Sequence, residues 1–293
     1  MLIVPGTHYT SRHTPVRTND IGAGFHPGAD TVIVHYPASA WPYTGINGPT
    51  AKESVRTGVA NLDAAIRAAD GPLIVVGHSQ GAVVINAEQA RLANDPTAPA
   101  ADQLEFVIFA DPERGLMSLL SEGTHIPVFD WTTTTPVDSQ YDTTIVIGEY
   151  DGWADPVDRP WNLLASANAL MASGATGWYR AIVGKAGREP AIHGRTGYAS
   201  PADIPHANIS VTTNSRGATV KTMLVPTKTL PFTDPLRSVL PDRVVDRIDN
   251  VLRPHIDAAY SRNDKPGDRR PFVSGGRIKR RGAKRGGGAL QPS

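Results

Sequence analysis

The chain has 293 residues, of which 40% are hydrophobic and 19% are charged, and it contains no cysteine. The length suits one large domain or two small ones, and the apolar content excludes a wholly disordered protein. Without cysteine the chain can have no disulfide framework, no thiolate metal site and no cysteine nucleophile.

The net charge of +1 hides an asymmetry along the chain. Residues 261–293 carry ten basic and two acidic side chains, so this segment has a charge of +8 and the rest of the chain has a charge of −7. We therefore predict an acidic globular domain over residues 1–260 and a disordered, basic, glycine-rich tail over residues 261–293.

The first residues contain an apolar run of only three side chains with no basic flank before it. Such a run is too short for a signal peptide or a membrane span. We expect a chain that is cytoplasmic on synthesis and reaches the cell envelope, if at all, through lysis or non-classical export.

Short apolar runs alternate with helical patterns along the chain, which is typical of parallel strands joined by helices. The predicted strands cover residues 2–4, 31–35, 73–76, 106–109 and 143–147, and a β-hairpin is predicted over residues 210–225. Helices are predicted around residues 55–66, directly after Ser79, over residues 161–172 and from residue 243 to about residue 261. This order predicts an α/β fold with a mostly parallel central sheet flanked by helices. The segment from about residue 161 to 229 is predicted to form a cap.

The pentapeptide Gly77-His78-Ser79-Gln80-Gly81 is the sharpest local indication of chemistry. The pentapeptide alone occurs by chance in many chains, but here a buried strand ends on its first glycine and an apolar helix starts after its serine. A nucleophilic serine lies on such a strand-to-helix turn, where crowding favours glycine on both sides. We therefore predict that Ser79 is a nucleophile.

A serine nucleophile needs a base, and the base needs an acid that orients it. On this fold the acid follows a later strand, and the histidine comes after the acid. Asp151 is favoured as the acid because it lies three residues after Gly148, the glycine that follows the predicted strand, and Asp155 is the alternative. His193, on a glycine-bearing loop, is favoured as the base, and His206 is its rival.

Two N–H donors are needed to hold the oxyanion of the tetrahedral intermediate. The backbone of Gln80 and the loop after the first strand, at Thr7, are predicted to supply them. His8 and His78 are interpreted as polar lining of the same cleft.

Several motifs occur in order along roughly residues 3–260. They are Val4-Pro5-Gly6-Thr7, Tyr36-Pro37-Ala38, Gly77-His78-Ser79-Gln80-Gly81-Ala82, Ala110-Asp111-Pro112, Glu149-Tyr150-Asp151-Gly152-Trp153-Ala154-Asp155, Val225-Pro226-Thr227-Lys228-Thr229-Leu230-Pro231 and Asp234-Pro235-Leu236-Arg237. Together they resemble the PE-PPE family of serine α/β hydrolases from mycobacteria and their relatives, which are close cousins of the cutinases. The resemblance implies a cutinase-like α/β-hydrolase fold and a carboxylic ester hydrolase with a Ser-Asp-His triad. It also implies acyl or lipid ester substrates, without metal or cofactor.

Three other functions stay open. Family members usually carry an N-terminal PE or PPE domain or an export segment, whereas this sequence begins at the first strand. In this respect it is similar to phage lysin B esterases, which cleave mycolate esters of arabinogalactan. An acyltransferase would use the same triad, and a non-catalytic virion or binding protein could use the same scaffold. The basic tail has the charge to bind an anionic envelope polymer, but it lacks the interleaved aromatic residues of a specific nucleic-acid reader.

Overall fold

The structure is a computed structural model that describes residues 1–7, 18–173 and 192–280. His8, predicted to line the cleft, and residues 281–293 of the predicted tail lie outside the described residues. The strands are β1 (Leu2–Val4), β2 (Val32–Ile33), β3 (Leu73–His78), β4 (Leu104–Phe109), β5 (His125–Ile126), β6 (Trp131–Thr132), β7 (Thr143–Gly148), β8 (Ile209–Thr213), β9 (Thr219–Val225), β10 (Phe272–Ser274) and β11 (Arg277–Lys279).

Seven of these strands form one central sheet in the order β2-β1-β3-β4-β7-β9-β8. Strand β8 pairs with β9 in the antiparallel direction, and all the other neighbouring pairs are parallel. The predicted fold class, a mostly parallel sheet flanked by helices, is confirmed. Because β3, β4 and β7 run parallel, the loops that follow them emerge at the same edge of the sheet, where ligands bind in open α/β folds.

Within the described residues the α-helices are α1 (Ala51–Arg67), α2 (Gln80–Leu92), α3 (Leu163–Ala172), α4 (Ile192–Arg195) and α5 (Asp242–Asp257). Helix α1 begins with a capping box, in which the Thr50 side chain accepts the Glu53 amide and the Glu53 side chain accepts the Thr50 amide. Its predicted apolar stripe packs against the sheet, with Val55, Leu62 and Ile66 buried.

The central strands are buried on both faces, as their continuous apolar runs predict. Neighbouring residues point to opposite faces, so Val75 packs in the cluster that contains α1 and α2, while Val76 packs in the cluster on the other side. A third cluster joins α3 and α5 through Ala169 and Ile256. The sheet therefore forms a scaffold that holds its carboxyl-edge loops in place.

The predicted extent of the cap is wrong at its C-terminal end. Strands β8 and β9 fall inside the predicted cap, yet they extend the central sheet, and β9 pairs with β7 from Thr143 opposite Val220 to Gly148 opposite Val225. The physical reason is that the free edge of β7 offers backbone hydrogen bonds to the β-branched hairpin.

The predicted disorder of the tail is wrong for residues 261–280. Strands β10 and β11 form a hairpin in this segment, and Phe272 is buried. Asp264 forms a buried ion pair with Arg159 (Nη2 to Oδ2, 2.5 Å), and Arg262 pairs with Asp155. Two charges of this segment, those of Arg262 and Asp264, therefore have partners on the domain, which a charge count along the chain does not reveal. In the described part of the chain, no helix is both long and apolar enough to cross a lipid bilayer.

Candidate active site

Ser79 occupies the turn between β3 and α2 in a strained backbone conformation. Its φ is 56° and its ψ is −117°, a region that residues with a side chain rarely adopt. The Ser79 amide donates to the carbonyl of Phe109 at 3.0 Å, which ties the turn to the end of β4. The side chain is only partly buried. The turn therefore presents the hydroxyl at the carboxyl edge of the sheet.

The glycines around Ser79 are required by close backbone contacts. A Cβ at Gly81 would lie 2.0 Å from the carbonyl oxygen of Val4, and one at Gly77 would lie 2.7 Å from the carbonyl oxygen of Gly81. A Cβ at Gly6, in the loop after β1, would lie 3.0 Å from the Cβ of Ser79. The two glycines of the pentapeptide and the one after β1 thus allow the end of β1 and the turn between β3 and α2 to meet at the serine.

His193 joins Ser79 to Asp151 through two hydrogen bonds. Its Nε2 lies 2.8 Å from Ser79 Oγ, and its Nδ1 lies 2.8 Å from Asp151 Oδ2. The carboxylate of Asp151 is fully buried, and its other oxygen accepts the Trp153 amide at 2.9 Å. Since an ionised carboxylate only accepts, the histidine proton sits on Nδ1 and Nε2 is free to accept from the serine hydroxyl. The structure brings these three predicted residues together.

Asp155 and His206, the two alternative candidates, have other surroundings. Asp155 accepts two hydrogen bonds from Arg262, at 3.0 and 2.7 Å, and one from the Tyr150 amide at 2.8 Å. His206 is exposed in the turn that precedes β8. Strand β8 lies four positions from β3 in the sheet, about 19 Å at the usual strand spacing. The site therefore contains neither alternative as a partner of the serine.

His78 contacts the segment that carries His193. Its ring is buried, and its Nε2 lies 2.7 Å from the carbonyl oxygen of His193. Because a carbonyl only accepts, Nε2 of His78 carries the proton. Burial, followed by the nearby ring of His193, lowers the pKa of His78 to about 4, so the ring is neutral near pH 7. The predicted lining role of His78 is thus incomplete, and only its place beside Ser79 hints at the contact.

The predicted oxyanion donors lie on the two segments that meet at Ser79. Gln80 is the first residue of α2, so its amide belongs to the first turn, whose N–H groups have no partner within the helix. Its side chain is committed elsewhere, because it accepts from Ser54 at 2.9 Å and donates to the carbonyl of Ser39 at 2.8 Å. Thr7 directly follows Gly6, the residue whose backbone approaches the serine.

A buried polar cluster lies beyond the end of β4. The Asn86 amide nitrogen donates to Asp111 at 2.8 Å and to Glu113 at 2.9 Å. Burial, followed by the charge of Asp111, raises the pKa of Glu113 to about 7. Within residues 1–7, 18–173 and 192–280, no group of three or more His, Cys, Asp or Glu side chains is arranged to hold a metal ion.

A serine on a strand-to-helix turn of a mostly parallel sheet, bonded to a histidine and a buried aspartate, is the arrangement of the α/β-hydrolase class. The PE-PPE domain model matches residues 27–261. The chain therefore belongs to the PE-PPE family, as its motifs predict.

Curated relatives of the chain include named enzymes of Mycobacterium tuberculosis. SL1278 acyltransferase Chp1 is 43% identical over 277 residues, which cover 90% of this chain and 65% of that protein. Diacyltrehalose acyltransferase Chp2 is 42% identical over 267 residues, which cover 84% of this chain and 70% of that protein. Esterase PE16 is 33% identical over 238 residues, which cover 78% of this chain and 42% of that protein. The chain thus spans about two thirds of the length of the two acyltransferases and less than half of the esterase.

Solved structures with some likeness are more distant. Lysin B from Mycobacteriophage D29 has a TM-score of 0.34 and 18% identity, covering 67% of this chain and 85% of that one. A cutinase-like protein from Cryptococcus sp. has a TM-score of 0.32 and 14% identity, covering 52% of this chain and 77% of that one. Scores this low support no conclusion about function.

Proposed function

We propose that this chain is an enzyme that cleaves acyl esters through a covalent acyl-enzyme at Ser79. The observation that carries the proposal is the hydrogen-bonded series from Ser79 through His193 to the buried Asp151, with both distances at 2.8 Å. This series supplies the three functions that a serine nucleophile requires, namely the attacking oxygen, the base and the group that orients the base.

In the proposed reaction, Ser79 Oγ attacks the carbonyl carbon of the ester while its proton passes to Nε2 of His193. The carbonyl oxygen becomes an oxyanion, which the amides of Gln80 and Thr7 hold. The C–O bond to the alcohol then breaks, and the alcohol leaves with the proton from Nε2. The acyl group remains bound to Ser79 as an ester.

The charge of Asp151 supports both the attack of Ser79 on the ester and the departure of the alcohol. When His193 takes the proton it becomes an imidazolium, and the carboxylate lies 2.8 Å from Nδ1 in a fully buried position. The attraction between these charges is stronger in such a low-dielectric environment than in water. Asp151 is therefore proposed to hold the imidazole tautomer before the transfer and to stabilise the cation after it.

The second half of the reaction depends on the acceptor. Attack by water on the acyl-enzyme gives hydrolysis, whereas attack by the hydroxyl of a sugar or lipid gives acyl transfer. Acyl transfer is the second candidate function, favoured by the 43% and 42% identity to two proteins named as acyltransferases. One relative at 33% identity is named as an esterase, which favours hydrolysis. Lipid acyl esters are the proposed donor class in both cases. The lysin B and non-catalytic hypotheses stay predictions.

The test of the first step compares Ser79→Ala with Ser238→Ala, which removes the same hydroxyl from an exposed position in a 3-10 helix. With a soluble p-nitrophenyl ester, we expect Ser79→Ala to lose turnover by on the order of 10⁴-fold or more, and the control to keep it. A fluorophosphonate probe should label the unsubstituted protein at Ser79 only. Retained turnover in Ser79→Ala would falsify the proposal.

The test of the second step supplies a lipid ester with and without a trehalose-containing acceptor and identifies the products by mass spectrometry. Free fatty acid in both reactions indicates hydrolysis. A newly acylated sugar, formed only when the acceptor is present, indicates transfer.

A further inference from the structure

An uncharged loop beside the turn that carries Ser79 exposes large apolar side chains. From Tyr36 to Pro49 the chain has no charged side chain, although 19% of all its residues are charged. Within this stretch Trp41, Tyr43 and Ile46 are 41%, 36% and 82% exposed. Isolated exposed apolar residues are common, but several together on one surface indicate a binding site.

Hydrogen bonds fix the base of this loop. The Trp41 amide donates to the carbonyl of Pro49 at 3.1 Å and closes the loop. Inside it, the hydroxyls of Ser39 and Thr44 lie 2.7 Å apart, and the Thr44 amide donates to the carbonyl of Ala40. The loop is thus an ordered element that holds its apolar side chains outward.

The loop is tied directly to the candidate active site. The side-chain nitrogen of Gln80, the residue after Ser79, donates to the carbonyl of Ser39 at 2.8 Å. The hydroxyl of Ser54 in turn accepts the Ser39 amide at 3.0 Å and donates to Gln80. A surface that contacts this loop therefore lies close to the nucleophile.

A second loop extends the same apolar surface. The ring of Tyr43 meets the ring of Phe129 edge to face, with centroids 6.3 Å apart, and the neighbouring Val128 is 56% exposed. We use the term docking surface for Trp41, Tyr43, Ile46 and Val128.

We propose that the docking surface binds an electroneutral lipid surface and so presents Ser79 to acyl esters held there. This inference rests on the proposed function, because a lipid ester donor is concentrated in lipid assemblies. Trp and Tyr are enriched at the interface between a bilayer and water, where an apolar ring with a polar group fits. The loop has no basic side chain that could pair with an anionic headgroup, so it matches neutral lipid better than anionic lipid.

The test measures co-sedimentation with phosphatidylcholine vesicles. All proteins carry Ser79→Ala, so that binding is measured without turnover. We expect the parent to bind equally at low and high salt, and the additional pair Ile46→Ser with Val128→Ser to weaken the partition coefficient by about tenfold. The matched control is Val251→Ser, which removes an apolar side chain that is 65% exposed on α5 and should change nothing.

A second measurement links docking to catalysis in proteins that retain Ser79. Turnover of a long-chain ester embedded in vesicles should fall in the Ile46→Ser, Val128→Ser protein, while turnover of a soluble short-chain ester stays at the parent value. The binding assay needs no catalysis, so the two proposals can fail separately. If the protein does not bind vesicles but turns over the soluble ester normally, docking is rejected and the proposed function is left intact.

Three outcomes would overturn the proposal. The first is the absence of binding to phosphatidylcholine, or an equal loss in Val251→Ser. The second is binding that requires anionic lipid and disappears in high salt, which would point to basic residues. The third is a dimer in light scattering that Ile46→Ser dissociates, which would make the docking surface an interface between two copies of the chain.

Discussion

Replacing Asp151 with asparagine would reverse the protonation of His193. The two oxygens of Asp151 accept the Trp153 amide at 2.9 Å and His193 Nδ1 at 2.8 Å. An asparagine has one accepting and one donating end. The Trp153 amide can only donate, so the asparagine oxygen faces Trp153 and its NH₂ group faces Nδ1. Nδ1 must then accept, the proton moves to Nε2, and Nε2 can no longer take the proton of Ser79.

The expected magnitude follows from the loss of the base. An imidazole in the wrong tautomer costs on the order of 10⁴-fold in kcat, which corresponds to about 5.5 kcal/mol of transition-state stabilisation. The assay is kcat and KM for a soluble p-nitrophenyl ester, with circular dichroism to establish that Asp151→Asn is folded.

Asp155→Asn is the matched control because it makes the same chemical change four residues away. This substitution weakens the ion pair between Asp155 and Arg262, whose two hydrogen bonds join side chains that are 11% and 16% exposed, respectively. It should therefore lower the free energy of unfolding by about 3 kcal/mol. His193 keeps its tautomer, so kcat should stay within roughly a few-fold at a temperature where the variant is folded. If folded Asp155→Asn lost turnover and Asp151→Asn kept it, our assignment of the acid would be wrong.

His78→Leu removes the donor to the His193 carbonyl and should lower kcat by about ten- to a hundredfold, with a smaller effect on KM. His78→Gln keeps an amide that can donate and should restore most of kcat. Equal kcat values in the two variants would contradict a positioning role for His78. The raised pKa of Glu113, about 7 against 4.5, means that the folded state binds this proton more tightly than the unfolded state. Stability should therefore fall as the pH rises from about 4.5 through 7, and Glu113→Gln should flatten this dependence in urea unfolding; an unchanged slope would refute it. Deleting residues 261–293 should lower the midpoint of thermal unfolding sharply or prevent folding, because buried ion pairs with the domain are lost. Deleting only residues 281–293 keeps those pairs. Equal midpoints for the two deletions would argue against a stabilising role of residues 261–280.

The central strands could be predicted because their signal is local. A buried parallel strand reads as an apolar run, and β3, β4 and β7 overlap the predicted runs with differences of one or two residues. The turn at Ser79 could also be predicted, since its glycines adjoin it in the chain. Strand β2 is shorter than predicted, with only Val32 and Ile33 in the ladder.

Features that depend on distant partners could not be predicted in the same way. Asp151 and Asp155 both follow β7, and the choice between them depends on Arg262, which is 107 residues beyond Asp155. The ordered structure of residues 261–280 could not be predicted for the same reason, because it depends on where the chain returns to the domain. The bond from His78 to the His193 carbonyl leaves no sequence pattern, since any residue supplies a backbone carbonyl.

The turn at Ser79 is the point at which the separate segments of the candidate site are held together. The strained backbone at Ser79 is stable only if contacts with its surroundings hold it in place. Each residue of the turn makes such a contact with a different segment. The Ser79 amide bonds to β4, Gly81 packs on the carbonyl of Val4 in β1, and the Gln80 side chain holds the uncharged loop. His78 bonds to the segment that carries His193. Rigid packing of these four segments would fix the serine relative to His193 before substrate arrives, which is the preorganisation that acyl-enzyme formation requires.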